Sequence, residues 1–135
     1  MRWTLSWGDE DTGQEVEVAS IEDLDAQLDR IDAAARAAGE PIIVNLADGD
    51  DDDGPVLGIG LGDERSVVTW TVSDDGDGNL VSHGGGAGER AWFAFADEPS
   101  EFTAEELIPT DAAREAARVF LRGGERPSNL EWEEV

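Results

Sequence analysis

Residues 41–47 read PIIVNLA, a nearly unbroken apolar run that ends where DGDDDDGP begins. A strand with one wet face alternates polar and apolar residues, whereas a run without alternation is a strand covered on both faces. The fold must therefore bring material to both sides of this segment. The next run, VLGIGLG at 56–62, places Leu57, Ile59 and Leu61 on one face and three glycines on the other. RSVVTWTVS follows, with Val68, Trp70 and Val72 as its apolar face.

The remaining periodicities surround these strands. Trp3, Leu5 and Trp7 alternate with Arg2, Thr4 and Ser6 in a half-buried strand, and GDEDTGQ turns it toward a second short strand at Val16 and Val18. Ser20 reads as the N-cap of a helix, with Asp23 three residues on as its capping-box acid. Ile21, Leu24, Leu28, Ile31 and Ala35 form the apolar stripe of that helix, Gly39 ends it, and Pro41 lies beyond. DDGDGN turns into a weak strand near Leu80 and Val81, and ERAWFAFA supplies another, with Phe93 and Phe95 opposite Trp92. A second helix spans about Thr110 to Arg122, with Ala113, Ala116, Ala117, Phe120 and Leu121 at helical spacing and Gly123 as its stop. The last strand turns Leu130 and Trp132 inward and Glu131 and Glu133 outward. There is no internal repeat or linker. The expectation is one α+β domain over 1–135, an antiparallel β-sheet meander with two main helices on one face.

Charge narrows the partner. Nine basic residues, all arginine, stand against 33 acidic ones, for a formal net charge of −24. Such a surface repels nucleic acid and anionic lipid, both of which present phosphates, so neither is expected as a partner. The composition fits either a strongly basic protein partner or the solubility needs of a salt-adapted or GC-rich source. There are no cysteines, the N-terminus lacks an apolar leader, and no stretch approaches the roughly eighteen apolar residues of a membrane span. The expectation is a soluble cytoplasmic protein.

Candidate chemistries fail on spacing. A calcium loop needs glycine at its sixth position and glutamate at its twelfth. Counting from Asp48 gives Asp53 and Ile59, and counting from Ser73 gives Gly78 but then Gly84. GGGAGE at 84–89 has the glycines of a phosphate loop but no lysine after it, and reads as a hairpin loop. His83 has no cysteine to activate, and Ser82, its neighbour in a strand, points to the opposite face. No catalytic residue, cofactor site or metal site is nominated. Trp3, Trp7, Trp70, Phe93, Phe95, Phe120 and Trp132 fall on buried faces, whereas Trp92 points away from Phe93 and Phe95. Trp92 is either packed beneath a helix on the sheet's other face or an anchor for a partner.

The order of segments resembles the first-numbered immunity-protein family of bacterial polymorphic toxin systems, from about Leu24 onward. The features that carry the resemblance are Gly60 to Gly62, Ile108 and Pro109 before an alanine-rich helix, the turn Gly124 to Pro127, and Glu131 with Trp132. SHGGGAG replaces the serine-glycine turn usual in that family. The resemblance implies a small α+β domain that neutralises a cognate toxin by binding it, often a nucleic-acid deaminase. The partner expected is then one basic toxin domain, bound one to one. Its contacts are assigned to Asp50, Asp51, Asp52, Asp53, Asp74, Asp75, Asp77, Trp92, Glu131 and Glu133. Two other classes stay open: an enzyme with an unrecognised carboxylate site, and an acidic interaction module of a salt-adapted organism without a toxin partner.

Overall fold

A computed structural model describes residues 2–8, 13–51, 53–72, 78–86, 88–95 and 98–134. The strands are β1 (Trp3–Trp7), β2 (Gln14–Glu17), β3 (Ile42–Asp48), β4 (Val56–Leu61), β5 (Arg65–Ser66), β6 (Val68–Thr71), β7 (Leu80–Ser82), β8 (Ala91–Phe95), β9 (Glu98–Phe102), β10 (Ile108–Pro109) and β11 (Trp132–Glu134). The helices are α1 (Ile21–Ala38) and α2 (Thr110–Gly123). The fold is α+β, as expected.

The main sheet runs β11-β7-β6-β4-β3-β1-β2, antiparallel at every step. β1 occupies β3 only between Asn45 and Asp48. The free start of β3 takes β8 instead, in a parallel bridge of Ile42 with Ala94, supported by Ala94 N–H donating to Pro41 O at 2.8 Å. β9 pairs with β8 through five residue pairs, so β8 and β9 form an arm carried on β3.

The apolar run at 41–47 is covered on both faces, as its pattern requires. Val44 and Leu46 join one core cluster and Ile43 another. The first cluster gathers Leu24, Leu28 and Ile31 of α1 and Ala113, Ala116, Ala117 and Phe120 of α2 over Leu5, Leu57, Ile59 and Val68. Phe120 sits between two tryptophans, edge-on to Trp3 at 5.0 Å and to Trp70 at 5.4 Å. Both helices therefore cover the same face. The second cluster comprises Ile43, Val67, Val81, Ala91, Phe93 and Leu107, with Phe102 against it, so the β8–β9 arm covers the other face.

Glycine makes that second face possible. A Cβ on Gly60 would lie 2.7 Å from Cε1 of Phe93, whose side chain is fully buried. The glycine face of VLGIGLG is thus the seat of an aromatic ring.

Local signals behave as written, with small displacements. Ser20 Oγ accepts the Asp23 N–H at 3.1 Å, while the Asp23 carboxylate accepts from Ala19 at 2.9 Å rather than from Ser20. Gly39 caps α1 in the left-handed region, and the same cap on α2 falls at Gly124, one residue beyond the expected stop.

Three expectations are corrected. RSVVTWTVS is two strands rather than one: it breaks at Val67, whose carbonyl accepts from Gly60 N, and β5 leaves to pair with β10. Val72 is 44% exposed rather than on the apolar face, because β6 ends at Thr71 and the Val72 N–H turns to Asn79 Oδ1 at 2.7 Å. Residues 84–89 are not a hairpin loop, since β7 lies between β6 and β11 while β8 pairs with β3 and β9. The Gly84 and Gly85 N–H groups donate to Glu105 O, and a Cβ on Gly84 would come within 2.0 Å of Leu107 O. The chain leaves β7 pressed so closely against Leu107 at residue 84 that only glycine fits there. The side chain of Phe95 lies outside the described residues.

Phe120→Ala removes the ring between Trp3 and Trp70 and is expected to cost about 3–5 kcal/mol in urea unfolding. Gly60→Ala must displace the Phe93 ring and is expected to cost about 1–3 kcal/mol. A Gly60→Ala variant as stable as wild type would contradict the close packing of Phe93.

Candidate functional site

The aspartate turn builds itself before it offers anything to a partner. Asp48 Oδ1 accepts two backbone N–H groups, from Asp50 at 3.0 Å and from Arg2 at 3.1 Å. These bonds, with Asp50 first, hold the Asp48 carboxyl below its ordinary value. Asp51 Oδ1 accepts the Asp53 N–H at 3.2 Å, a side chain turned onto its own loop. The Arg2 guanidinium lies 3.6 Å from Asp50 and 3.7 Å from Glu17, joining the turn to β2. Of the expected contact residues, Asp50, Asp51 and Asp53 are exposed, and Asp52 lies outside the described residues, as do Asp74, Asp75 and Asp77.

The last strand is more committed than its sequence suggests. Trp132 Nε1–H donates to the carbonyl of the buried Pro127 at 3.0 Å, fixing the ring against the first core cluster. Glu131 is exposed, while its carbonyl accepts the His83 N–H at 2.9 Å. Glu133 is half-buried and meets His83 Nδ1 at 3.0 Å. The histidine therefore ties the outward carboxylate of β11 to β7, a role that sequence reading missed. Cross-strand register is the signal: Glu133 opposes Val81, whose face His83 shares by alternation.

Trp92 is the exposed aromatic. It is 53% accessible, between Ala91 at 5% and Phe93 at 0%, and no helix covers it. Pro41, Ala94 and Pro99 form a shallow groove of about 350 Å³ beside it, with Glu40 at the margin. The alternative of packing beneath a helix is overturned, because both helices lie on the opposite face. Glu40, Pro41 and Pro99 carried no sequence signal, since only the β3–β8 bridge brings them to Trp92.

Much of the remaining charge is spent internally. Asp25, Asp29 and Asp32 recur at helical spacing along α1. Asp25 pairs with Arg118 at 3.0 Å and Asp29 with Arg114 at 2.7 Å, both arginines from α2, while Asp32 pairs with Arg36 at 2.8 Å. Asp29 and Asp32, with Arg36, Arg114 and Arg118, line a polar cleft of about 320 Å³ between the helices, where Asp32 also accepts the Gly62 N–H. Six of the nine arginines pair with carboxylates of the chain itself. Among the described residues, no group of three or more His, Asp or Glu is placed to hold a metal ion, and no helix is long and apolar enough to cross a membrane.

Residues 12–134 match the protein family described as Immunity protein Imm1. The chain belongs to that family. Imm1 membership sets the coarse function, an immunity protein with a toxin as its partner, and it points to binding rather than catalysis. No curated protein matches the sequence. The residues that carry the resemblance to Imm1 are mostly structural here. Gly60 seats Phe93, Ile108 is buried opposite Ser66, and Pro127 receives the Trp132 indole.

Asp48→Asn keeps an acceptor for both N–H groups, so the turn should remain closed, whereas Asp48→Ala should loosen it. Because the folded Asp48 carboxyl titrates below its unfolded counterpart, its contribution is present above about pH 4 and lost as the pH falls below that. Melting curves should therefore show wild type losing ground to Asp48→Asn only in that acid range.

Proposed function

We propose that this Imm1 protein neutralises a toxin that acts on nucleic acid, specifically a deaminase, by laying an acidic surface into the toxin's basic substrate groove. The observation that carries this reading is the division of charge. Most arginines are consumed in internal pairs, while Asp51, Asp53, Glu98, Glu131 and Glu134 are exposed and make no ion pair with other described residues. The net charge of −24 therefore rests on carboxylates left without a cation, since nine arginines in all stand against 33 acidic residues and six of the nine already face a carboxylate.

A nucleic-acid deaminase must offer a cationic channel to its substrate's phosphates and a pocket to the flipped base. An acidic protein seated there excludes the substrate and is steered to its target by the same field. The resemblance to immunity proteins often paired with deaminases supports that target class. Restraint of a lethal enzyme asks for a dissociation constant of nanomolar or below, about −12 kcal/mol or beyond. The toxin is met in the cytoplasm of the cell that makes it, one toxin domain for each immunity protein.

Co-expression should rescue cells from the cognate toxin domain, and the two should co-purify as a one-to-one complex. Absence of a complex at low salt overturns the reading. Replacing Asp50, Asp51, Asp52 and Asp53 together with asparagine keeps the side-chain acceptors of the turn and removes its charge. Association at low salt should slow by roughly tenfold and lose salt dependence, with dissociation little changed. Normal association of this variant would reduce the loop to a solvated turn.

A further inference from the structure

We propose that the groove beside Trp92 is the anchor of the toxin interface, and that it takes an arginine or lysine of the toxin flanked by apolar residues. This rests on the toxin-binding reading above and assigns its energetic centre to the β8–β9 arm rather than to the aspartate turns.

Four observations converge on the groove. The first is exposure: Trp92 and Val72 are the large hydrophobic side chains left open among the described residues, and Trp92, the more exposed of the two, lines a groove. The second is rigidity. Trp92 sits in a strand zipped to β9 by five pairs, bridged to β3 at Ala94, and flanked by the Phe93 ring against Gly60. The groove walls are two prolines and an alanine, which have little rotamer freedom to lose, so binding orders almost nothing.

The third observation is charge. Glu40 at the margin makes no ion pair among the described residues and follows the C-terminus of α1, the negative end of the helix dipole. Arg36, the basic residue of that last turn, is engaged by Asp32 at 2.8 Å and by Asp63 O at 2.8 Å. A cation arriving over the indole therefore finds an aromatic face and an unneutralised carboxylate. The fourth is continuity. Glu40 also borders a second groove of about 590 Å³, between α1 and the β1–β2 hairpin, whose mostly apolar wall includes Trp7, Val16, Ala38 and Ile42 together with the polar Gln14 and Arg30. Apolar surface thus lies on both sides of one carboxylate, which fits a partner segment carrying a cation between apolar side chains. Glu101, paired with Arg90, faces the same way as Trp92 across the strand pair.

The test is dissociation kinetics of the full chain from its cognate toxin domain, with thermal melting of each variant. Trp92→Ala should raise the dissociation rate by about thirtyfold with an unchanged melting temperature. Glu40→Gln should raise it by about tenfold, and Trp92→Phe should fall between wild type and Trp92→Ala. In the free protein Trp92 is the indole most open to acrylamide, so complex formation should remove the quenching that separates wild type from Trp92→Phe. If wild type forms no complex, the toxin-binding reading itself fails. If wild type binds and Trp92→Ala dissociates at the wild-type rate, that reading stands and this inference is overturned. It is overturned equally if Trp92→Ala turns a wild-type dimer into monomers and leaves toxin binding unchanged.

Discussion

The contact of Phe93 with the glycine face of β4 is the constraint from which the exposed surface around Trp92 follows. A side chain at residue 60 would leave that ring nowhere to go, and without the ring the second face of the sheet would lose the centre of its core. Because alternate residues of a strand point in opposite directions, burying Phe93 forces Trp92 outward. The core therefore decides the exposure of the tryptophan. The bridge from Ala94 to Ile42 then sets the arm beside Pro41 and Glu40, at the end of α1.

Legibility in the sequence followed the range of the forces involved. The helices were readable because caps and stripes are local: Ser20, Asp23, Gly39 and the alanines of α2 sit within a few turns of one another. The apolar run at 41–47 announced a doubly covered strand, and the two core clusters confirm it. β9 and β10 were not readable. EPSEF contains a proline and lacks alternation, and a two-residue strand such as Ile108–Pro109 has no period at all. The crossover at 84–89 looked like a hairpin because glycine content does not reveal whether glycines turn the chain or let two backbones touch.

The acidic residues divide the same way. Counting 33 carboxylates gives a field but no address. Once the chain is folded, Asp25, Asp29 and Asp32 belong to pairs along the helices, Asp48 and Asp51 to the turn that carries them, and Glu133 to His83. Solvent-exposed pairs of this kind contribute little stability individually, generally below about 1 kcal/mol. Their greater effect is to set a carboxylate against each of six arginines, which themselves stay largely at the surface. Trp92 could be singled out in advance by its odd position in ERAWFAFA, but the residues that make a groove of its surroundings come from three separate elements.

The sheet does not close on itself. Among the described residues, β2, β9 and β11 each keep one unpaired flank of backbone, and each carries glutamates: Glu15 and Glu17, Glu98 and Glu101, Glu133 and Glu134. An open flank is ordinarily an invitation for another strand to add. Two copies of this chain that met flank to flank would bring like charges together, and would part. A strand lined with arginine or lysine meets no such objection. Glutamates along such borders are one of the ways a protein discourages open strand edges from pairing with copies of themselves.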